Sequence, residues 1–462
     1  MDILVLGGGG REHALVRSLA ASPDSGSIYV APGNGGSAPG AQNVVLDILD
    51  AAAVCRFAQE QAVGLVVIGP EAPLVGGVAD IVRAAGIAVF GPGAAGARLE
   101  GSKHFAKDLM CKYDIPTAAY AVFTSEELAL DYLEDHPAPI VIKANGLAAG
   151  KGVTVAQSDE EARCAVRECF AGRFGQAGAK VVIEENLVGP ECSLLAFVDG
   201  QTMMPMVPAQ DHKRALAGDR GPNTGGMGVY SPVPIVSRAE HDAMIKLMEQ
   251  TVAALQSEGI DYRGVLYGGF ILTDQGPRVL EFNARFGDPE TQVVLPLLQS
   301  DLLEVMLAVG NGDLKQDVLR WSDQWAISVV LASAGYPGTY QTGQPISGIE
   351  AAEALPNVTV FHAGTRRDSG GRLLTDGGRV LNVTALANSF EEARAQAYRA
   401  VDLIDFPGKQ YRLDIGQRAL GGRVAWNQNT TGDQGEAKQG EANGAQSRHS
   451  NFQFDDLVPA TL

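Results

Sequence analysis

The sequence predicts an α/β protein: a doubly wound N-terminal parallel-sheet domain, a central domain carrying a smaller strand-rich unit, and a small α+β domain near the C-terminus. Three observations lead there. Short apolar runs alternate with helical periods through the first hundred residues, the pattern of a parallel sheet covered by helices. Glycine is abundant, 56 of 462 residues, while 45% of the chain is hydrophobic and 19% charged, a composition that fits many tight turns between buried elements. Beyond residue 421 the apolar residues thin out and Asn, Gln, Gly, Asp and Ser take over.

Residues 1–101 form the first unit. Ile3 to Leu6 reads as a strand, followed by a glycine loop and a helix from Glu12 to Ala21. Ile28 to Ala31 is the second strand, Ala51 to Gln61 a helix, Leu65 to Ile68 a buried strand, Val75 to Ala85 a helix, and Ala88 to Phe90 the last strand. The central domain spans 102–310. It opens on a helix from Ser102 that ends at Ile115-Pro116, because the residue before proline leaves the helical region. Its smaller unit, about 117–188, holds strands at Pro139–Lys143, Val153–Val155 and Lys180–Ile183 and a helix near 159–171. A helix follows from Ala239 to Glu258. The α+β unit, 325–420, is expected to contain a hairpin around Gly377-Gly378 and a helix from Phe390 to Ile404. Residues 422–462 read as a disordered tail.

The formal net charge of −18 and the lack of a long basic stripe argue against a nucleic-acid binder, yet leave room for a local phosphate site. No apolar run is long enough to cross a bilayer, and the chain opens directly into a strand without a signal-peptide pattern. Cys55, Cys111, Cys164, Cys169 and Cys192 show no metal-binding spacing, so reduced thiols in a cytoplasmic protein are expected.

The most informative segment runs from Val279 to Glu290. Glu281 and Asn283 are two apart on a strand and leave the same face. A carboxylate beside an amide oxygen suits Mg²⁺, which takes few protein ligands and completes its shell with water and phosphates. Arg285 follows as a fork for a carboxylate or phosphate. The blander alternative is a solvated edge strand. Gly7-Gly8-Gly9-Gly10-Arg11-Glu12-His13 resembles a dinucleotide fingerprint, but the third glycine position falls on Glu12 or His13. Monophosphate binding at the helix N-terminus, a purely structural turn and dinucleotide binding are the three readings. The loop from Lys143 to Gly152 is not a Walker loop: its spacing is one residue short and a strand follows. It suits a flap over a triphosphate, with Lys143 as the fixed contact, or a plain flexible hairpin. Glu184 to Leu187 leads into an extended linker whose backbone can pair with an adenine edge, with Glu191 near a ribose. Two further loops, Pro208 to Arg214 and Gly221 to Gly228, combine acid, base and glycine backbone.

Taken in this order, the segments Gly8 to Ala14, Gly69 to Leu74, Gly101-Ser102-Lys103, Lys143 to Gly152, Asp211 to Arg214, Pro222 to Gly228 and Arg285 to Gln292 resemble those of the ATP-grasp ligases. Within that superfamily the chain is similar to the glycinamide ribonucleotide synthetase family over roughly residues 1–420. The resemblance implies an ATP-grasp central domain with the smaller unit as its mobile lid, and ATP-dependent joining of 5-phosphoribosylamine and glycine through glycyl phosphate, with Mg²⁺ or Mn²⁺, in purine biosynthesis. It implies that Lys103, Lys143 and Gly150 contact ATP phosphates, that Glu184, Glu185 and Leu187 hold the adenine and Glu191 the ribose, and that Glu281 and Asn283 bind metal. Gly8, Gly9 and Glu71 would face phosphoribosylamine. Asp211, Lys213, Asn223, Thr224, Gly225, Met227, Arg285 and Asp288 would line the acceptor site, with Lys143, Arg285 and Asp211 in the catalytic roles. The chain departs from the family at Asn145, where Asp is expected, at Asn186, where an aromatic is expected, and at Pro190, where Glu is expected. The strand before the metal pair carries Gly268-Gly269-Phe270, without the second carboxylate that other ATP-grasp enzymes place there. A monomer acting on small molecules, with no nucleic-acid or membrane partner, is expected. The competing classes are an ATP-grasp carboxylase of an aminoimidazole ribonucleotide, a dehydrogenase and a non-catalytic nucleotide sensor.

Overall fold

Every strand of the first sheet is parallel. The order is Ala41–Asn43, Ile28–Pro32, Ile3–Gly7, Leu65–Ile68, Ala88–Phe90. The structure is a computed structural model and describes residues 1–36, 40–148, 152–315 and 319–421. Gly150 and the proposed tail, 422–462, lie outside the described residues. The strands Ile3–Gly7 and Leu65–Ile68 are buried throughout, which is why they read as continuous apolar runs rather than alternating ones. The single helix expected from Val75 to Ala85 is instead two, Glu71–Val75 and Val78–Ala84. Gly77 between them has φ +78°, a left-handed conformation that glycine adopts without steric cost.

The next unit is a four-stranded antiparallel sheet ordered Tyr120–Phe123, Val181–Glu185, Ile140–Ala144, Val153–Ala156. Helices Glu126–Asp135 and Asp159–Phe170 cover it. Apolar residues from both helices and the sheet, among them Ala129, Leu133, Ile142, Val166 and Ile183, form a core separate from the two larger ones. Behind it lies a second four-stranded sheet, Met203–Pro205, Glu191–Asp199, Arg263–Thr273, Gly276–Asn283, packed under the helix Arg238–Ser257.

The last sheet differs from expectation in its membership. Its order is Gln210–Asp211, Gly228–Ser231, Trp325–Ala332, Arg379–Ala387, Val358–His362, so two strands from the middle of the chain extend the sheet of the α+β unit. The glycine pair at 377–378 does not close a hairpin. The strand Leu373–Thr375 before it pairs with Thr365–Arg367, whereas Arg379–Ala387 after it belongs to the five-stranded sheet. Gly377 instead packs against Gly364, where an added Cβ would come within 2.5 Å of the Gly377 Cα. All five cysteines are free, and no described helix is long and apolar enough to cross a membrane.

Buried histidines tie these units together. His13, on the first helix, accepts the His362 backbone N–H at Nδ1 (2.9 Å), and the two rings pack edge to face at 5.2 Å. His212 accepts the Gly416 N–H at Nε2 (3.2 Å). Burial, reinforced by nearby arginines and, at His13, by His362, lowers the pKa of His13 to about 3 and those of His212 and His362 to about 4. Each is therefore neutral in the fold and takes up a proton on unfolding below its ordinary value near 6.5, so the unfolded state binds more protons. Stability is held above pH 6.5 and is lost as pH falls toward 4. Denaturant titrations at pH 7 and pH 5 are expected to show this loss, and His13→Asn is expected to reduce the proton uptake on unfolding by about one.

Candidate active site

The strand order reverses at Ile3–Gly7, with the connections leaving toward Ile28–Pro32 on one side and Leu65–Ile68 on the other. A doubly wound sheet presents its ligand crevice at such a point, at the carboxyl ends of the strands. Gly8, Gly9 and Glu71 sit there. Part of the crevice is filled by the protein itself, and a small cavity lined by Gly8, Glu12, Gly33 and Asn34 remains. Glu12 is 2% exposed, and a Cβ at Gly7 or Gly69 would collide with its side chain at 2.5 or 2.1 Å. Glu12 takes the Gly9 N–H (2.7 Å) on one oxygen and Arg11 Nε (2.7 Å) on the other. These glycines make room for an acid where a dinucleotide would need its pyrophosphate.

Glu281 and Asn283 close the strand Gly276–Asn283, half-buried on the same sheet face. Opposite them stand Gly269 and Tyr267, and beyond Gly269 stands Ser193. Burial alone would raise the Glu281 carboxyl, but Lys213, Lys143, Lys103 and Arg285 bring it below its ordinary value. The pair fits a hard cation held mainly by phosphate oxygens: one ionised carboxylate and one amide oxygen share a face that approaching cations have made receptive to anions. No group of three or more His, Cys, Asp or Glu able to hold a metal occurs among the described residues. Arg285 does not present an open fork. Its Nη2 pairs with Glu100 (2.7 Å) and approaches Asn283 Oδ1 (3.4 Å), while Nε lies 3.3 Å from Glu71. Burial works against its charge, and Glu100 and Glu71 more than restore it.

Lys143 and Lys107 share one oxygen of Glu184, each at 2.9 Å. The other oxygen, Oε1, is buried without a hydrogen-bond partner. Lys143 also donates to Leu280 O (3.3 Å), beside the metal pair. Lys103 donates to Gly146 O (3.3 Å), and burial lowers its pKa despite the neighbouring Glu281. Asn145, at the departure from the family pattern, accepts the His104 N–H on Oδ1 (2.8 Å) and so caps the helix Lys103–Lys112 from the start of the flap. Glu185 is turned to the Ala119 N–H (2.9 Å), Leu187 is half-buried, and Glu191 pairs with Lys213 (2.6 Å).

On the acceptor side Asp211 is pushed upward by burial, opposed by Lys213 and reinforced by Glu290 and Glu191. Thr224 folds its loop by donating to Lys213 O (2.9 Å) and accepting from Gly226 N (3.0 Å). Asn223 ends the hairpin strand Arg220–Asn223. Met227 is fully buried, so only its backbone faces the loop. Asp288 accepts from Gln292 (2.9 Å) and lies 3.4 Å from Arg379, which also donates to Gly225 O (2.5 Å) and Asp288 O (2.8 Å). Direct contacts join Arg285 to Glu71 and Asn283, Lys143 to Glu184 and to Leu280 O, and Lys213 to Glu191. Sequence reading missed Lys107, Glu100, Glu290 and Arg379. Lys107 had a signal, one helical turn after Lys103 among the apolar Ala106, Leu109 and Met110. Arg379 had none, since its contacts lie 91 and 154 residues away.

The chain matches three models of phosphoribosylglycinamide synthetase: the N domain at residues 1–100, the ATP-grasp (A) domain at 101–291 and the C domain at 326–418. It is 51% identical to the phosphoribosylamine–glycine ligase of Mesorhizobium japonicum over 421 residues, covering 91% of this chain and 99% of that one. The crystal structure of phosphoribosylamine–glycine ligase from Thermotoga maritima superposes with a TM-score of 0.78 at 34% identity, covering 90% of this chain and all of that one. N5-carboxyaminoimidazole ribonucleotide synthetase from the same organism shares the fold alone, with a TM-score of 0.61, 16% identity, and 88% and 99% coverage. On matches that run from residue 1 to 418, the chain belongs to the phosphoribosylglycinamide synthetase family of ATP-grasp enzymes.

Proposed function

We propose that the surface running from Glu184 to Asp288 is the active site of an ATP-dependent ligase joining 5-phosphoribosylamine and glycine to give glycinamide ribonucleotide, ADP and phosphate, a step of purine biosynthesis. The observation that carries this reading is the pairing of Lys107 and Lys143 on one oxygen of Glu184, with Lys143 also reaching Leu280 O beside Glu281. Two buried ammonium groups on one carboxylate leave a surplus positive charge, which a polyphosphate would neutralise. Lys103, Lys107 and Lys143 contact the ATP phosphates, and the free Glu184 oxygen accepts from the adenine amino group. Glu281 and Asn283 hold Mg²⁺ or Mn²⁺, whose chemistry here is neutralisation of phosphate charge.

The glycine carboxylate takes the γ-phosphoryl group, ADP leaves, and glycyl phosphate forms. The amine of phosphoribosylamine attacks the carbonyl carbon, phosphate departs, and Asp211, raised toward neutrality by burial, receives the amine proton. Gly8, Gly9 and Glu71 face the phosphoribosylamine, and Arg285 and Asp288 set the acceptor wall. The chain's work is positioning, charge stabilisation and exclusion of water from a labile anhydride. We expect it to act as a monomer in the cytoplasm.

Lys143→Ala, Lys107→Ala and Glu281→Ala are each expected to lower kcat by about 10²- to 10³-fold, with the two lysine variants also melting at lower temperature and assayed below that transition. Near-normal turnover in any of them removes that residue from the site. ADP release should require glycine and phosphoribosylamine together. Release driven by bicarbonate instead would place the chain with the carboxylases that share its fold.

A further inference from the structure

The strand Arg263–Thr273 is bare at a place where its neighbours are polar. Ser193, Gly269 and Glu281 lie in register across three antiparallel strands, so their side-chain positions share one face. Gly269 has no side chain to offer, and a Cβ there would fit at ordinary contact distance, 3.4 Å from Glu281 Cγ and 3.6 Å from Glu281 O and Tyr267 Cε1. A notch about one carbon wide therefore separates the metal pair from the hydroxyl groups of Ser193 and Tyr267.

Those hydroxyls hold an acid over the far side of the notch. Tyr267 donates to Glu290 Oε1 (3.0 Å), Ser193 reaches the same oxygen (3.4 Å), and the two hydroxyls are 2.7 Å apart. Glu290 is 4% exposed. No lysine, arginine or histidine pairs with it among the described residues, although almost every other acid around it has a cation: Glu191 has Lys213, Glu71 and Glu100 have Arg285, Asp288 has Arg379. A buried carboxylate hydrogen-bonded only by hydroxyl groups has no direct ion-pair partner, and Arg285 and Arg379 act on it only from beyond ion-pair distance. Its other oxygen lies against Gly287, where a Cβ would come within 2.4 Å, so the backbone there is kept clear for it.

We propose that Glu290 receives the α-ammonium group of glycine, with Gly269 forming the notch that admits an amino acid whose ammonium and carboxylate are one carbon apart. The carboxylate of glycine then points toward Glu281 and Asn283, where the γ-phosphoryl group arrives, and the substrate ammonium gives Glu290 the direct ion-pair partner that the protein does not. The bare Gly269 takes on a meaning here: the position that carries no second metal carboxylate is the floor of the amino-acid subsite. This inference rests on the reading of the surface as the ligase site and adds the group that selects the amino acid.

The test is steady-state kinetics of Glu290→Gln and Gly269→Ala, each with glycine, ATP and phosphoribosylamine varied in turn, and with glycolate offered in place of glycine. Glutamine keeps an acceptor for Tyr267 but carries no charge, and is expected to raise the KM for glycine by about 10²-fold while the KM for ATP stays within about threefold. The preference for glycine over glycolate, which differ only in the ammonium group, should shrink by a similar factor. Gly269→Ala, whose methyl group fits the fold, is expected to raise the glycine KM selectively and leave the melting temperature in place. An unchanged glycine KM in Glu290→Gln overturns the proposal. So does a rise shared equally by glycine and ATP, or a glycine-to-glycolate preference as large as in the parent protein. If Glu281→Ala is inactive while Glu290→Gln binds glycine normally, only the ammonium subsite falls. If Glu281→Ala turns over normally, the site assignment itself falls.

Discussion

Glu184 Oε2 carries two buried ammonium groups at 2.9 Å each, and much of the molecule is arranged around that oxygen. Lys143 and Glu184 come from neighbouring strands of the small four-stranded sheet, while Lys107 comes from the helix Lys103–Lys112. The contact thus joins the small sheet to the rest of the central domain through charge rather than through apolar packing. Burial pulls Lys107 down to about 8 in spite of Glu184, a measure of how little solvent reaches the cluster. Thr117 completes the joint: it accepts from Lys107 (2.8 Å) and donates to Val279 O (2.6 Å), so the strand Gly276–Asn283 is tied to the same group of residues.

The electrostatics of the site oppose those of the chain. The molecule carries a formal charge of −18, yet Lys103, Lys107, Lys143, Lys213 and Arg285 converge on one surface. Acids inside the surface do not cancel this charge so much as aim it. Glu71 and Glu100 hold Arg285 beside Asn283, and Glu191 holds Lys213 near Asp211 and Glu281. An Arg fork engaged by two carboxylates cannot swing, so its charge is fixed in place before any substrate arrives.

How much of this was legible in the sequence follows from the range of the interactions. The strands Leu65–Ile68 and Ala88–Phe90 match the sequence reading, because burial on both faces leaves an unbroken apolar run bounded by turn residues. That Glu281 and Asn283 share one face was legible from their period of two. The break at Gly77 was written in the sequence as Gly76-Gly77 but was overridden by helical periodicity on either side. The five-stranded sheet was not legible, since the pairing of Gly228–Ser231 with Trp325–Ala332 leaves no local pattern. The same is true of Arg379, an ordinary strand residue until the fold brings Asp288 and Gly225 to it. Glu12 shows the reverse case: its position in the glycine loop argued against a dinucleotide, and the structure supplies the reason, a side chain occupying the cradle.

The separate apolar core of the small four-stranded sheet has a thermodynamic consequence. A body that keeps its oily interior to itself can rotate without wetting that interior, so its orientation is decided by the polar ties at its border. Among those ties are Lys107 to Glu184, Lys143 to Leu280 O, Tyr120 to Asp108, Arg278 to Glu185, and Asn145 to the N-terminus of the neighbouring helix. The attachment of the small sheet therefore depends on ionised side chains, and a change in their protonation would loosen it without disturbing its interior.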